Sequence, residues 1–236
     1  MGDNLGQKAA IVRSSGPVAL VGGGDVGPED LNLALNRASL LVAADSGALV
    51  ALAAGRMPDA VIGDMDSLPD LERAHVPIER LHQIAEQDST DFDKALRHID
   101  APLVLGVGFT GSRVDHQLAS FNTLVRRADR RCILIGIEQI VFLAPPLLEL
   151  PLEPGNLVSV FPMARVAARS QGLHWPLDGL EMAPDGVIGT SNSATGPLRI
   201  ETAAPGLLVM LPRTALDAVI QALLAPGSGR WPARAG

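Results

Sequence analysis

Aspartates recur where short apolar runs end: Asp45 in "AADSG", Asp64 and Asp66 in "VIGDMDSLPD", Asp88 and Asp91 in "EQDSTDFDKAL", Asp115 in "GSRVDH". If those runs are strands of one open parallel sheet, their carboxyl ends share a rim, and ligands bind at such rims. Carboxylates gathered there repel one another and raise one another's pKa unless a cation neutralises them. The donors on offer are oxygens of Asp, Ser and Thr, with no Cys or His cluster, so Mg²⁺ is expected and Zn²⁺ is not. Mg²⁺ held by a few carboxylates keeps waters and completes its shell with substrate phosphates, which points to nucleotide phosphate chemistry. Asp64 and Asp66 are two apart at a strand end. On an extended segment both point one way and Met65 the other.

The stretch after Asp88 sorts its own acids. Phe92, Ala95, Leu96 and Ile99 recur at i, i+3, i+4, i+7 and face a core. Asp93 and Arg97 are then expected as an i, i+4 ion pair on the outer face. Asp91 and Lys94 share another edge, with Asp91 at the helix start near the rim and Thr90 placed to cap the helix. In "GFTGSRVDHQL", Arg113 stands in a glycine-bearing turn before a helix, where a guanidinium fork and free amides suit a phosphate. His116 lies in the first turn of that helix.

These residues need a scaffold, and the pattern supplies one. Apolar runs at 18–23, 40–45, 59–64, 102–108 and 131–137 alternate with helical patterns at 28–38, 47–55, 91–99 and 115–128. Such alternation predicts an α/β fold with a parallel sheet covered on both faces. After 144–155 the character changes to short runs punctuated by Gly, Pro, Ser and Thr, and only 214–225 reads as helical. The expected layout is an α/β domain over 1–145, a mainly β, sandwich-like domain over 150–225, and a loose tail over 226–236.

Composition narrows the function. Net charge is −7, which argues against nucleic acid as a partner. The one cysteine, Cys132, lies in the apolar run "CILIGI" and is expected as a buried strand thiol. No run approaches the roughly 18 uncharged apolar residues of a spanning helix. The start carries no secretory apolar region, so a cytoplasmic protein without membrane contact is expected. A rival reading rests on "GGGDVG": Gly22, Gly24 and Gly27 fit a dinucleotide fingerprint, with Asp45 as the ribose acid, and would make the protein a nicotinamide- or flavin-dependent oxidoreductase.

Taken together, "AADSGA" (43–48), "PDAVIGDMDSL" (58–68), "DSTDFDKAL" (88–96), "GFTGSRVDHQLA" (108–119) and "GLHWPL" (172–177) followed by "GTSN" (189–192) resemble the thiamine pyrophosphokinase family. Ser46, Met65 and Ser112 depart locally from the family pattern. The resemblance implies Mg²⁺-dependent transfer of pyrophosphate from ATP to the hydroxyl of thiamine, giving thiamine diphosphate and AMP. It also implies an N-terminal α/β domain, a C-terminal β-sandwich and a homodimer with sites at the subunit interface. By motif matching, Asp64, Asp66 and Asp91 are the expected metal ligands and, with Arg113 and Asp115, the catalytic set. Asp45, Ser46, Thr90, Lys94 and His116 are expected around the nucleotide, and Trp175, Ser191 and Asn192 around thiamine. The cationic thiazolium suits stacking on Trp175, and either Asp91 or Asp66 is available to accept the hydroxyl proton.

Overall fold

The computed structural model describes residues 10–27, 29–68 and 75–233. Its strands are β1 (Val12–Arg13), β2 (Val18–Val21), β3 (Leu40–Ala44), β4 (Ala60–Gly63), β5 (Leu81–Gln83), β6 (Ile99–Asp100), β7 (Val104–Val107), β8 (Cys132–Ile135), β9 (Gln139–Leu143), β10 (Leu147–Leu150), β11 (Leu157–Pro162), β12 (Val166–Leu173), β13 (Glu181–Met182), β14 (Gly189–Thr202) and β15 (Leu207–Pro212). The α-helices are α1 (Asp30–Leu35), α2 (Gly47–Ala53), α3 (Asp91–His98), α4 (Val114–Arg126) and α5 (Leu216–Leu224).

Six strands run parallel in the order β8-β7-β2-β3-β4-β5. The chain winds outward from β2 through β5, then returns to the other side of β2 with β7. The order therefore reverses between β2 and β7, and a crevice opens above them. Both faces are covered, as the continuous apolar strands require. Ala19 and Val21 pack with Leu31, Ala34, Ala48 and Ala51 of α1 and α2. Val18 and Leu20, pointing the other way, pack with Phe92, Leu96, Phe121 and Leu124 of α3 and α4.

The sheet does not stop where the parallel strands do. β9 pairs antiparallel with β8, β15 with β9, and β11 with β15. The antiparallel part thus begins at Gln139, ahead of the change in character at 144–155. β14 then serves two partnerships: residues 189–193 pair with β11, and residues 194–202 pair with β10 and β12. Ser191, at φ +60°, marks the irregularity in the first of these. Strands that change partners through such a kink form corners between layers. Inward residues of this part, among them Leu148, Val160, Ile200 and Val209, share a core with α1, α2 and α5.

The tail differs from expectation. Residues Pro226–Ser228 form a 3₁₀ turn, Ser228 is buried, and Trp231 Nε1 donates to Ala144 O at 2.8 Å. Arg131 also reaches Gly229 O at 2.7 Å. An aromatic ring and buried hydrogen bonds therefore hold the tail through Trp231, while residues 234–236 lie outside the described residues. Pro28, expected in the first turn of α1, lies outside them as well. Cys132 is buried as expected, and burial pushes its thiol pKa up, away from reactivity.

Candidate active site

A cavity of about 540 Å³ opens above the β2/β7 reversal. The loop after β2 (Gly22 to Asp25), Asp45 and Ser46 after β3, the start of α3, and the loop from Gly108 into α4 line it. The two glycine-bearing loops touch backbone to backbone. Gly24 N donates to Gly108 O at 3.1 Å, and a Cβ on Gly24 would sit 2.6 Å from that oxygen. Asp25 closes the front of the cavity by accepting the Ser112 amide at 2.8 Å.

At the floor, carboxylate oxygens of Asp45, Asp64 and Asp91 come within 4.8 Å of one another. Asp45 is 2% exposed and sits at φ +43°, a left-handed conformation that costs a non-glycine residue about 1–2 kcal/mol. Among the described residues its Oδ1 is buried without a hydrogen-bond partner. Burial, reinforced by the Asp91 charge, raises its pKa. Gly63 leaves room for this turn, since a Cβ there would lie 2.7 Å from that of Asp45.

Lys94 lies behind the carboxylates, 1% exposed. Its ammonium donates to Asp64 Oδ2 at 2.7 Å and Asp91 Oδ1 at 3.0 Å. The first of these bonds holds the Asp64 carboxyl below its ordinary value. Burial alone would lower the Lys94 pKa, but the bonds to Asp64 and Asp91 outweigh it and leave it raised. One ammonium against three carboxylates leaves an excess of negative charge, and the orphaned Asp45 oxygen is where it is least compensated. An all-oxygen set with a free, desolvated acceptor fits a hard divalent cation.

Asp66 is not part of this trio. Met65, at φ +66° and buried, turns the chain between the two acids, so the extended geometry expected for 64–66 is not formed. Asp66 is exposed and accepts the Ser67 hydroxyl at 2.9 Å. Asp45, expected with these acids around Mg²⁺ and the polyphosphate, completes the trio. The facing of α3 is also corrected. Asp93 is 1% exposed and holds Arg127 of α4 in a two-point bond at 2.8 and 2.7 Å. Arg97 lies 4.0 Å from Asp93 and pairs with Glu86. Packing of α3 on α4 buries a flank that the sheet-facing periodicity alone leaves outside. Thr90 lines the cavity, and its hydroxyl also caps α3 by accepting the Asp93 amide at 3.2 Å.

Arg113 and His116 both line the cavity and are exposed. Asp115 is not among the lining residues. It pairs with Arg113, with the closer of two contacts at 2.6 Å. Trp175, Ser191 and Asn192 lie outside this cavity. Trp175 is 59% exposed, with the His174 ring edge-on at 4.6 Å. Asn192 is buried, accepts the Trp175 amide at 3.1 Å and donates to the Trp175 carbonyl at 2.7 Å. Its amide is therefore occupied in presenting the tryptophan. Sequence reasoning left unassigned Phe109, which lies against Phe92 in the cavity wall with ring centroids 4.4 Å apart, and Gln117 and Ser120 on α4. Phe109 and Gln117 stand inside "GFTGSRVDHQLA" and Ser120 directly follows it, and that placement was the only signal.

Gly22 and Gly24 of the rival reading are accounted for by the close packing of the two loops, Gly27 faces the Asp30 carboxylate, and Asp45 faces other acids. Fold and site together define a doubly wound α/β protein with an acid trio at the carboxyl ends of β3 and β4, beside the sheet's reversal, joined to an antiparallel unit that presents a tryptophan. Residues 31–135 match the family model for the thiamin pyrophosphokinase catalytic domain, and residues 147–207 match that for the thiamin pyrophosphokinase vitamin B1 binding domain. The chain belongs to the thiamin pyrophosphokinase family, and the oxidoreductase reading has no support.

Thiamine pyrophosphokinase 1 of Oryza sativa subsp. japonica is 30% identical over 155 residues, 57% of this chain. The match spans 58% of that relative's length, a little over half. The solved structure of thiamine pyrophosphokinase from Bacillus subtilis superposes with a TM-score of 0.67 at 24% identity, over 83% of this chain and 98% of that one. That of thiamin pyrophosphokinase from Candida albicans gives 0.70 at 14% identity, over 86% and 93%. These likenesses establish a shared fold.

Proposed function

We propose that the protein transfers a pyrophosphoryl group from ATP to the hydroxyl of thiamine, releasing AMP, with Mg²⁺ at the acid trio. The observation that carries this reading is the buried, unpartnered Asp45 oxygen beside Asp64 and Asp91, next to the reversal of a sheet whose family is established. In the reaction the thiamine oxygen bonds to the β-phosphorus, the bond from that phosphorus to the α–β bridging oxygen breaks, and AMP departs with the bridging oxygen. Asp45, Asp64 and Asp91 would hold the Mg²⁺, whose chemistry is to neutralise charge on the phosphate oxygens.

The chain's own groups do the rest. Lys94 keeps Asp64 and Asp91 oriented, Ser46 and the glycine loop border the phosphates, and Arg113, paired with Asp115, meets the outer phosphate charge. His116 and Thr90 border the same space. Asp91 at the edge of the trio, or Asp66 just outside it, accepts the proton of the attacking hydroxyl. Trp175, displayed by Asn192, offers a stacking surface for a cationic heterocycle, with Ser191, next to Asn192 in the chain, as a further polar contact for it.

Because that surface lies outside the acid cavity of its own chain, we infer that a second copy supplies it and that the working unit is a homodimer. The division of labour follows the two parts, 1–145 for nucleotide and 150–225 for thiamine. Among the described residues no helix is long and apolar enough to cross a membrane. A cytoplasmic setting accords with that and with a lone, buried cysteine. The test is AMP release from ATP, thiamine and Mg²⁺. Thiamine-dependent AMP is expected, and none above a metal-free control overturns the reading.

A further inference from the structure

We propose that Arg213 is a positioning residue for the nucleotide end of the cavity, acting through Asp30 on the glycine loop; this rests on the function proposed above. Asp30 is 3% exposed and both of its oxygens are engaged. Oδ1 meets Arg213 Nη1 at 2.5 Å, and Oδ2 accepts the Gly27 amide at 2.8 Å. Arg213 follows β15, nearly two hundred residues away in the chain and beyond both matched family regions.

The same guanidinium reaches the turn between β8 and β9. Its Nη1 lies 3.4 Å from Gly136 O and 3.5 Å from Ile137 O, and the Arg213 amide donates to Glu138 O at 3.1 Å. That turn backs the cavity wall: a Cβ on Gly136 would sit 3.0 Å from the hydroxyl of Thr110, a lining residue. One side chain from the C-terminal part therefore pins two segments that border the nucleotide space.

The glycine loop has little other support at this end. Its front is latched by Asp25 on the Ser112 amide, an exposed contact. Its rear depends on Asp30, whose buried charge among the described residues only Arg213 compensates through an ion pair. Removing Arg213 leaves a buried carboxylate without its cation. Asp30 then turns toward water or another donor, and the Gly27 amide loses its fixed acceptor. The loop meets the opposite loop backbone to backbone at Gly24 and Gly108 and through the Asp25 side chain on Ser112, so a shift at Gly27 carries to contacts that line the cavity. Arg213 touches neither reactant, so its effect falls on how well nucleotide is held.

The experiment is steady-state kinetics on the full chain, wild type, Arg213→Met and Arg213→Lys, with circular dichroism to establish folding. For Arg213→Met the KM for ATP is expected to rise about tenfold while the KM for thiamine stays within about twofold, as a small displacement of positioning groups predicts. Arg213→Lys restores the charge next to Asp30 without the fork, and is expected to recover most of the loss. An unchanged KM for ATP, or equal rises for both substrates, overturns the proposal. If Arg213→Met does not fold, Arg213→Lys and Asp30→Asn carry the test: a rise confined to ATP supports the proposal, and none in either variant overturns it. Failure of wild type to release AMP would instead overturn the function, and the proposal with it.

Discussion

Asp45 concentrates three costs in one residue: a left-handed backbone, near-complete burial, and a carboxylate oxygen with no partner. Such costs persist where the surroundings enforce them, and they cluster at functional sites. A divalent cation would relieve the burial of the charge, so Mg²⁺ is expected to raise the melting temperature of the wild type. Asp45→Asn and Asp64→Asn are expected to abolish that rise and to cut AMP release by about 100-fold or more. Asp66→Asn is expected to keep the Mg²⁺-dependent rise, because Asp66 stands outside the trio. Thermal shift with and without Mg²⁺ checks this, and loss of the rise in Asp66→Asn would return that residue to the metal site. Residue type and position at strand ends marked Asp45, Asp64 and Asp91 in advance, together with Asp66. What sets Asp66 apart is the φ angle of Met65, which no side-chain pattern announces.

At the scale of elements, α3 links site and scaffold. Its Asp91 and Lys94 enter the acid site, its Phe92 and Leu96 pack on the sheet, and its Asp93 grips Arg127 of α4. Asp93→Asn would keep the shape but leave the Arg127 guanidinium short of its two-point carboxylate. The expected loss is about 2 kcal/mol of stability, the scale of leaving a partly buried polar group unmatched. Urea unfolding measures it, and a midpoint equal to wild type would show Arg127 finding water at no cost. The apolar spacing of α3 placed one face correctly. The second buried flank exists because α4 lies across it, and the α4 partner sits over thirty residues downstream.

The whole molecule is built on a sheet that passes without interruption from parallel strands into antiparallel ones, yet the acid cavity and Trp175 do not share a pocket within one chain. If two copies complete each other's sites, two inactive variants can rescue one another. Mixing Asp64→Asn with Trp175→Ala in equal amounts, after dissociation and reassembly, is expected to restore about a quarter of wild-type AMP release. Half the dimers would be mixed, each with one intact site of two. Activity no higher than the sum of the separate variants would place the whole site in one chain.

The sequence by itself determined the class of fold, because continuous apolar runs and 3.6-residue periodicity are local signals of burial. It also pointed to the family, because five short motifs stand in that family's order. Tertiary structure decided which acids meet, which charged residues are buried and how far the tail is held. It also decided which distant arginine secures the glycine loop. Those outcomes depend on backbone turns such as that at Met65 and on contacts such as Arg213 with Asp30, whose partners are far apart in the chain and carry no mark of one another.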